Sequence, residues 1–261
     1  MKRSSGARLC ATAAVGALSL VLITGCSDDG SKKDSKGSSK GSDSSSSASS
    51  APAAKALTAA ELEKLLLAQG EVKGYKVDAG DDTLPKSKSE VKTDKPACDP
   101  LAWATAGLAP GETAANASNS VAEDKVSGAT AQPEDLADAF DIDMTFVGLS
   151  SYEGDGAEKA MKALSDGVTA CSAGYGLATG GENSKVTKVV SEKGSGLGDE
   201  SVAFSEDVDM DGEGSATFHT DVVRKGNTIA TFYTVNFASL GSGKAADIPA
   251  AVVQAQVAKL K

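Results

Sequence analysis

The chain has 261 residues, with 36 acidic against 26 basic side chains and a formal net charge of −10. An acidic surface repels phosphate backbones and anionic headgroups, which speaks against nucleic acid as a partner. Aromatic residues make up 4% and Trp103 is the single tryptophan, so stacking platforms for bases or sugars have little material.

At the N-terminus Lys2, Arg3 and Arg8 precede an apolar run from Ala11 to Ile23. That run is shorter than a membrane-spanning helix needs and has the length of a secretion signal. It closes on Ile23-Thr24-Gly25-Cys26, which resembles the lipobox of bacterial lipoproteins: an aliphatic residue, two small residues, then the cysteine whose sulfur takes the lipid. The resemblance implies a signal peptide over 1–25, lipidation at Cys26 and a membrane-attached chain on the extracytoplasmic side. Loss of the signal moves the formal charge to −13. Because one acyl chain anchors only marginally, stable attachment needs several.

Ser27 to Ala54 is rich in Ser, Gly, Lys and Asp, with no aliphatic residue larger than Ala. It cannot bury enough apolar area to offset its ordering entropy, so 26–56 is expected to be a disordered tether. A coil of that length reaches roughly 30 Å. The folded part is expected over 57–261. Cys10 leaves with the signal and Cys26 carries lipid, so Cys98 and Cys171 remain as two thiols in an oxidising compartment and are expected to form one disulfide.

Leu57-Thr58-Ala59-Ala60-Glu61 is a capping box, and Leu62, Leu65 and Leu66 follow as an apolar stripe, which predicts a first helix. Val72 to Lys95 reads as a strand and then a long loop. Asp99 as N-cap with Pro100 in the first helical position predicts a short second helix through Leu101, Trp103 and Leu108. From Phe140 the alternation of Phe140, Ile142, Met144 and Phe146 with Asp141, Asp143 and Thr145 predicts a half-buried antiparallel strand. Ala157, Ala160, Met161, Leu164, Val168 and Cys171 recur at helical spacing, so Cys171 belongs to a buried stripe.

A glycine-rich turn is expected at Gly174 to Gly181, then strands near Val186 to Ser191 and Ser201 to Val208. Ala216 to Arg224 and Thr228 to Phe237 flank Gly226-Asn227, a dipeptide suited to a tight hairpin. A two-residue loop there sets Phe218 opposite Val235, His219 opposite Thr234, Thr220 opposite Tyr233 and Asp221 opposite Phe232. Asp247 is expected to cap a last helix through Pro249, Val252, Val253 and Val257. The fold class is α+β: an antiparallel sheet with packed helices and one disulfide behind a disordered N-terminal tether.

No catalytic constellation emerges. Asp207, Asp209, Asp211 and Gly212 match the opening of a calcium loop, but position twelve is Phe218 where a bidentate Glu is needed, so the triad is at most a weak metal candidate in an acidic turn. His219 is the one imidazole, with Asp221 on the same strand face, and no G-x-S-x-G elbow accompanies it; it reads as a solvent-facing strand residue. Gly194-Ser-Gly196-Leu-Gly198-Asp199 lies between strands rather than opening a helix, so it reads as a loop and not a phosphate cradle. Glu134, Asp135, Asp141 and Asp143 are placed on an exposed side, where nothing raises a carboxyl pKa. No cofactor is expected.

The lipobox, the Ser/Gly tether, the two cysteines, Leu197-Gly198-Asp199-Glu200-Ser201 and Val223-Arg224-Lys225-Gly226-Asn227-Thr228 together resemble actinobacterial, Streptomyces-type secreted lipoproteins. More distantly they resemble the extracellular sensor domain of the PknH type of mycobacterial kinase. That resemblance implies an antiparallel sheet with packed helices and a cleft; this chain departs from it in having one cysteine pair where the kinase sensor has two. The expected function is a non-enzymatic extracytoplasmic module that binds or senses an unknown ligand, the alternative being a structural or assembly protein of the cell envelope acting through protein contacts.

Overall fold

The computed structural model describes residues 55–79, 84–124, 141–210 and 214–261. The signal segment, Cys26, the expected tether up to Ala54, Glu134, Asp135, Phe140 and Asp211 lie outside them, while Lys55 and Ala56, expected to belong to the tether, are described and Ala56 is buried. The described residues build one nine-stranded sheet in which every strand pair is antiparallel, with four α-helices packed on its two faces. The strands are β1 (Tyr75–Asp78), β2 (Val91–Thr93), β3 (Ala115–Glu123), β4 (Asp143–Ser151), β5 (Tyr175–Thr179), β6 (Glu182–Glu192), β7 (Glu200–Asp209), β8 (Ser215–Lys225) and β9 (Thr228–Asn236). Their spatial order is β1-β3-β4-β9-β8-β7-β6-β5-β2. The helices are α1 (Ala59–Leu65), α2 (Asp99–Ala104), α3 (Gly156–Ala170) and α4 (Ala250–Lys259).

One apolar layer lies between α2, α3 and the sheet, with Leu101, Met161, Leu164, Phe204, Val222 and Ile229 buried in it. The other lies under α1 and α4, with Leu62, Val147, Val223, Phe232, Val252 and Val257. The central strands alternate between the two layers, as a period-two strand must. Covering both faces is what overturns the expected half-buried strand: β4 is buried from Thr145 to Ser151. Thr145, read as solvent-facing, is fully buried and shares a 3.0 Å hydrogen bond with Thr234 of β9. A polar side chain on a doubly covered strand has to find such a partner.

The capping box opens α1 as expected: Thr58 accepts from the Glu61 amide, and the Glu61 carboxylate accepts from the Thr58 amide at 2.8 Å. Asp99 does not cap α2; Cys98 is the N-cap and Asp99 the first helical residue, its carboxylate accepting instead from Thr93 Oγ1 at 2.6 Å. A three-residue 3-10 turn ending at Cys98 feeds directly into the helix, so Asp99 already has helical backbone angles and lacks the extended conformation from which a cap side chain bonds the first-turn amides. Asp247 likewise does not cap α4, whose N-cap is Pro249.

The expected turn over Gly174 to Gly181 is in fact strand β5, with Tyr175 opposite Val186 and Thr179 opposite Glu182. Gly180 and Gly181 make the turn between β5 and β6, and Gly174, also at positive φ, closes the turn after α3 by donating to Cys171 O. β3, with the polar sequence ANASNSVAE, and the three-residue β2 within the expected long loop also form. The β8–β9 hairpin keeps the expected register from Thr220–Tyr233 and Asp221–Phe232 to Lys225–Thr228; its ladder does not extend to Phe218 and Val235.

Cys98 and Cys171 are bonded, with Cα atoms 5.9 Å apart, and both are fully buried. The bridge joins the N-cap of α2 to the C-cap of α3. It holds a six-residue helix, too short to be stable alone, against the sheet.

Candidate functional site

Two concavities flank the central strands, one on each face of the sheet. On the α2 face a cleft of about 380 Å³ opens over β7, β8 and β9. The sheet supplies Val208, Phe218, Tyr233 and Val235, and α2 with its following turn supplies Ala102 and Ala106. Phe146 of β4 stacks on Tyr233 at 4.8 Å between ring centres, which stiffens that wall. Phe237, 47% exposed, lies at the mouth. Thr179, Glu182, Asn183 and Ser184 from the β5–β6 hairpin give a polar rim.

Among this apolar lining lies Glu206, 2% exposed. Tyr175 donates to its Oε1 at 2.6 Å, and Thr105 Oγ1 lies 2.8 Å from its Oε2 and 3.0 Å from Thr220 Oγ1. Burial pushes the Glu206 carboxyl above the usual range, and the two hydroxyl bonds oppose that push without cancelling it. Burial together with the adjacent Glu206 also pushes the Tyr175 phenol up. Tyr175 and Thr105 each donate to one oxygen of the carboxyl, and the Thr105 hydroxyl lies within hydrogen-bond distance of the Thr220 hydroxyl. The cleft therefore offers apolar contact around a satisfied polar group, the composition of a small-molecule binding pocket.

On the α1/α4 face a groove of about 520 Å³ runs between the 193–198 loop, β8 and the start of α4. His219 and Asp221 meet there, as the shared strand face predicted. His219 is not simply solvent-facing: its side chain is 26% exposed and Nδ1 lies 2.9 Å from Glu192 Oε2. Asp221 is 6% exposed; its Oδ2 accepts from the Ser195 amide at 3.3 Å, and Oδ1 has no hydrogen-bond partner. Burial pushes this carboxyl up as well, against the pull of the Ser195 bonds.

The remaining sequence candidates serve the fold. Asp207 Oδ1 accepts from Thr217 Oγ1 at 2.8 Å, and Asp209 faces Ser215 across the ladder. With Asp211 outside the described residues, no group of three metal-ligating side chains gathers among those described. Asp141 and Asp143 both accept from Asn236 Nδ2. The LGDES and VRKGNT segments are brought together: Asp199 Oδ2 accepts from the Gly226 amide at 2.7 Å, the Asp199 amide donates to Arg224 O, and Arg224 pairs with Glu200. A Cβ at Gly198 would lie 2.4 Å from Arg224 O, so this closely apposed turn pair requires glycine there. Those motifs lock two turns and line neither cavity wall apart from Leu197.

Glu206, Tyr175 and Thr105 did not stand out in the sequence. A signal for Glu206 existed: in Val202-Ala-Phe204-Ser-Glu206-Asp-Val208 the period-two rule puts it on the face of Phe204 and Val208, an acid among core positions.

No protein-family model and no curated protein matches this chain. Among solved structures it is similar to the extracellular domain of PknH from Mycobacterium tuberculosis, at 13% identity and a TM-score of 0.44 over 78% of this chain and 95% of that one. It is also similar to the Rv0999 ortholog from Mycobacterium smegmatis, at 13% identity and a TM-score of 0.33 over 77% and 94%.

Proposed function

We propose that this chain is a lipid-anchored, extracytoplasmic lipoprotein of the Streptomyces type whose domain is a non-catalytic binding or sensing module, with the ligand seated in the apolar cleft over Glu206. The observation that carries the reading is the cleft itself: about 380 Å³ of preformed space with aromatic and aliphatic walls, and a single buried carboxyl already satisfied by Tyr175 and Thr105. The aliphatic and aromatic lining suits a hydrocarbon or a neutral ring, whereas a charged group pressed into it has to be desolvated. The ligand class is a small, uncharged, mainly apolar molecule. The lipobox at Cys26 supports the location, the tether supplying the distance from the membrane.

Titration with the neutral fluorophore N-phenyl-1-naphthylamine tests the seat. Saturable enhancement is expected, weakened at least tenfold by Ala106→Trp or by Ser184→Trp, which fill the cleft from opposite rims. Titrations indistinguishable across wild type and both variants would remove the reading. For the anchor, Cys26→Ser is expected to abolish incorporation of an alkynyl fatty acid and to release the domain from the membrane fraction; unchanged labelling refutes it.

A further inference from the structure

The groove on the opposite face of the sheet is unused by that reading, and its chemistry is different. Its walls divide into two poles. One is acidic: Glu192, paired with His219, and Asp221, which is 6% exposed and keeps one carboxyl oxygen without a hydrogen-bond partner. A buried acceptor left unpaired costs free energy that a donor entering the groove would recover. The other pole is the start of α4. Its first intrahelical bonds run from the Val252 and Val253 amides to Pro249 O, and Pro249 provides no side-chain cap. The amide of Ala250, which lines the groove, therefore stands ahead of the hydrogen-bonded turn, at the positive end of a ten-residue helix. Lys193 lines the groove beside Ser195. Leu197, Ala203, Ile248 and Val253 complete it with apolar surface.

We infer that this groove is a second ligand site, selective for a small zwitterion with an aliphatic body, its ammonium directed to the Asp221 and Glu192 side and its carboxylate to the Ala250 amide and Lys193. Asp247 also lines the groove, two residues before Pro249, so an anion alone meets repulsion as well as the helix terminus. A cation alone satisfies the acidic pole and leaves the amide bare. Only a molecule bearing both charges meets both poles. Metal coordination is a poor match, because no three metal-ligating side chains converge here or elsewhere among the described residues.

The single histidine of the chain makes the test direct, since the imidazole C–H resonances of His219 report on the groove without assignment. Leucine and 6-aminohexanoate are titrated against hexylammonium and hexanoate, which carry one charge each. At least one zwitterion is expected to shift the His219 signals saturably, binding ten times or more tighter than either singly charged probe. Gln254→Trp, an exposed groove position whose bulk fills the groove without changing charge, and Asp221→Asn, with Glu192→Gln as a second acidic-pole variant, should each weaken it at least tenfold. Ala106→Trp, on the other face, should leave it unchanged, which separates this site from the apolar cleft. Hexylammonium or hexanoate binding as tightly as the zwitterions overturns the proposal. So does zwitterion binding that survives Gln254→Trp, or the absence of any saturable shift up to about 10 mM.

Discussion

Replacing both Cys98 and Cys171 with alanine removes the covalent tie between the start of α2 and the end of α3. The bridged positions are 73 residues apart. Chain-entropy accounting for a loop of that size gives a loss of about 4 kcal/mol, through greater freedom of the unfolded chain. For a domain of this length each kcal/mol shifts the melting temperature by about 2 to 4 °C, so a drop of roughly 10 °C is expected in differential scanning calorimetry. Local behaviour should follow the same cause. The six-residue α2 has no side-chain cap and begins at the bridge, so its amides should show the largest gain in hydrogen exchange. Because both sulfurs are fully buried, reductant added to the native protein should act only as fast as the protein opens. A melting temperature lowered by less than about 3 °C, with α2 exchange unchanged, would refute the reasoning: packing rather than the covalent loop would then hold α2.

Glu206 sets a pH dependence. Its folded carboxyl keeps its proton above the pH at which the unfolded chain loses it, about 4.5, so the folded state binds the extra proton and stability falls as pH rises from there through the raised folded value. Glu206→Gln should flatten that fall in urea unfolding measured between pH 4.5 and 8; equal slopes for variant and wild type would count against it. Gly148→Ala on β4 should destabilise by roughly 1 to 3 kcal/mol, because its Cβ would sit 2.5 Å from Gly107 O and 3.0 Å from Thr231 Oγ1; a neutral change in chemical denaturation would show that the turn after α2 yields. Gln256 of α4 is fully buried, accepts from the Leu67 amide at 3.0 Å and donates to Leu65 O at 2.8 Å. Gln256→Leu strands both backbone groups and should cost about 2 to 4 kcal/mol, with faster exchange at Leu67; undiminished protection there would show that another partner replaces the amide.

Local chemistry was readable where one short segment contains the whole reason. The capping box at Thr58 and Glu61, the helical stripe ending at Cys171, the Gly226-Asn227 hairpin with its Thr220–Tyr233 register and the pairing of two leftover cysteines all belong to that class. Where two backbone signals competed, the chain alone misled: Asp99 and Asp247 have cap-forming side chains, but the 3-10 turn before α2 and Pro249 before α4 fix the backbone first. Strands β3 and β5 lack apolar alternation because their stability comes from neighbours already paired in the sheet, a non-local cause.

The sequence by itself determined the acidic charge, the lipobox-like start and the α+β class, since composition and short-range periodicity suffice for these. The tertiary structure alone decided that helices cover both faces of the sheet. Their covering buries Thr145, expected to face solvent, and Asp221, and encloses Glu206 in an apolar wall. It also leaves two chemically unlike concavities on opposite faces. Burial depends on what packs from distant parts of the chain, and Glu206 owes its setting to Thr105 and Tyr175, 101 and 31 residues away.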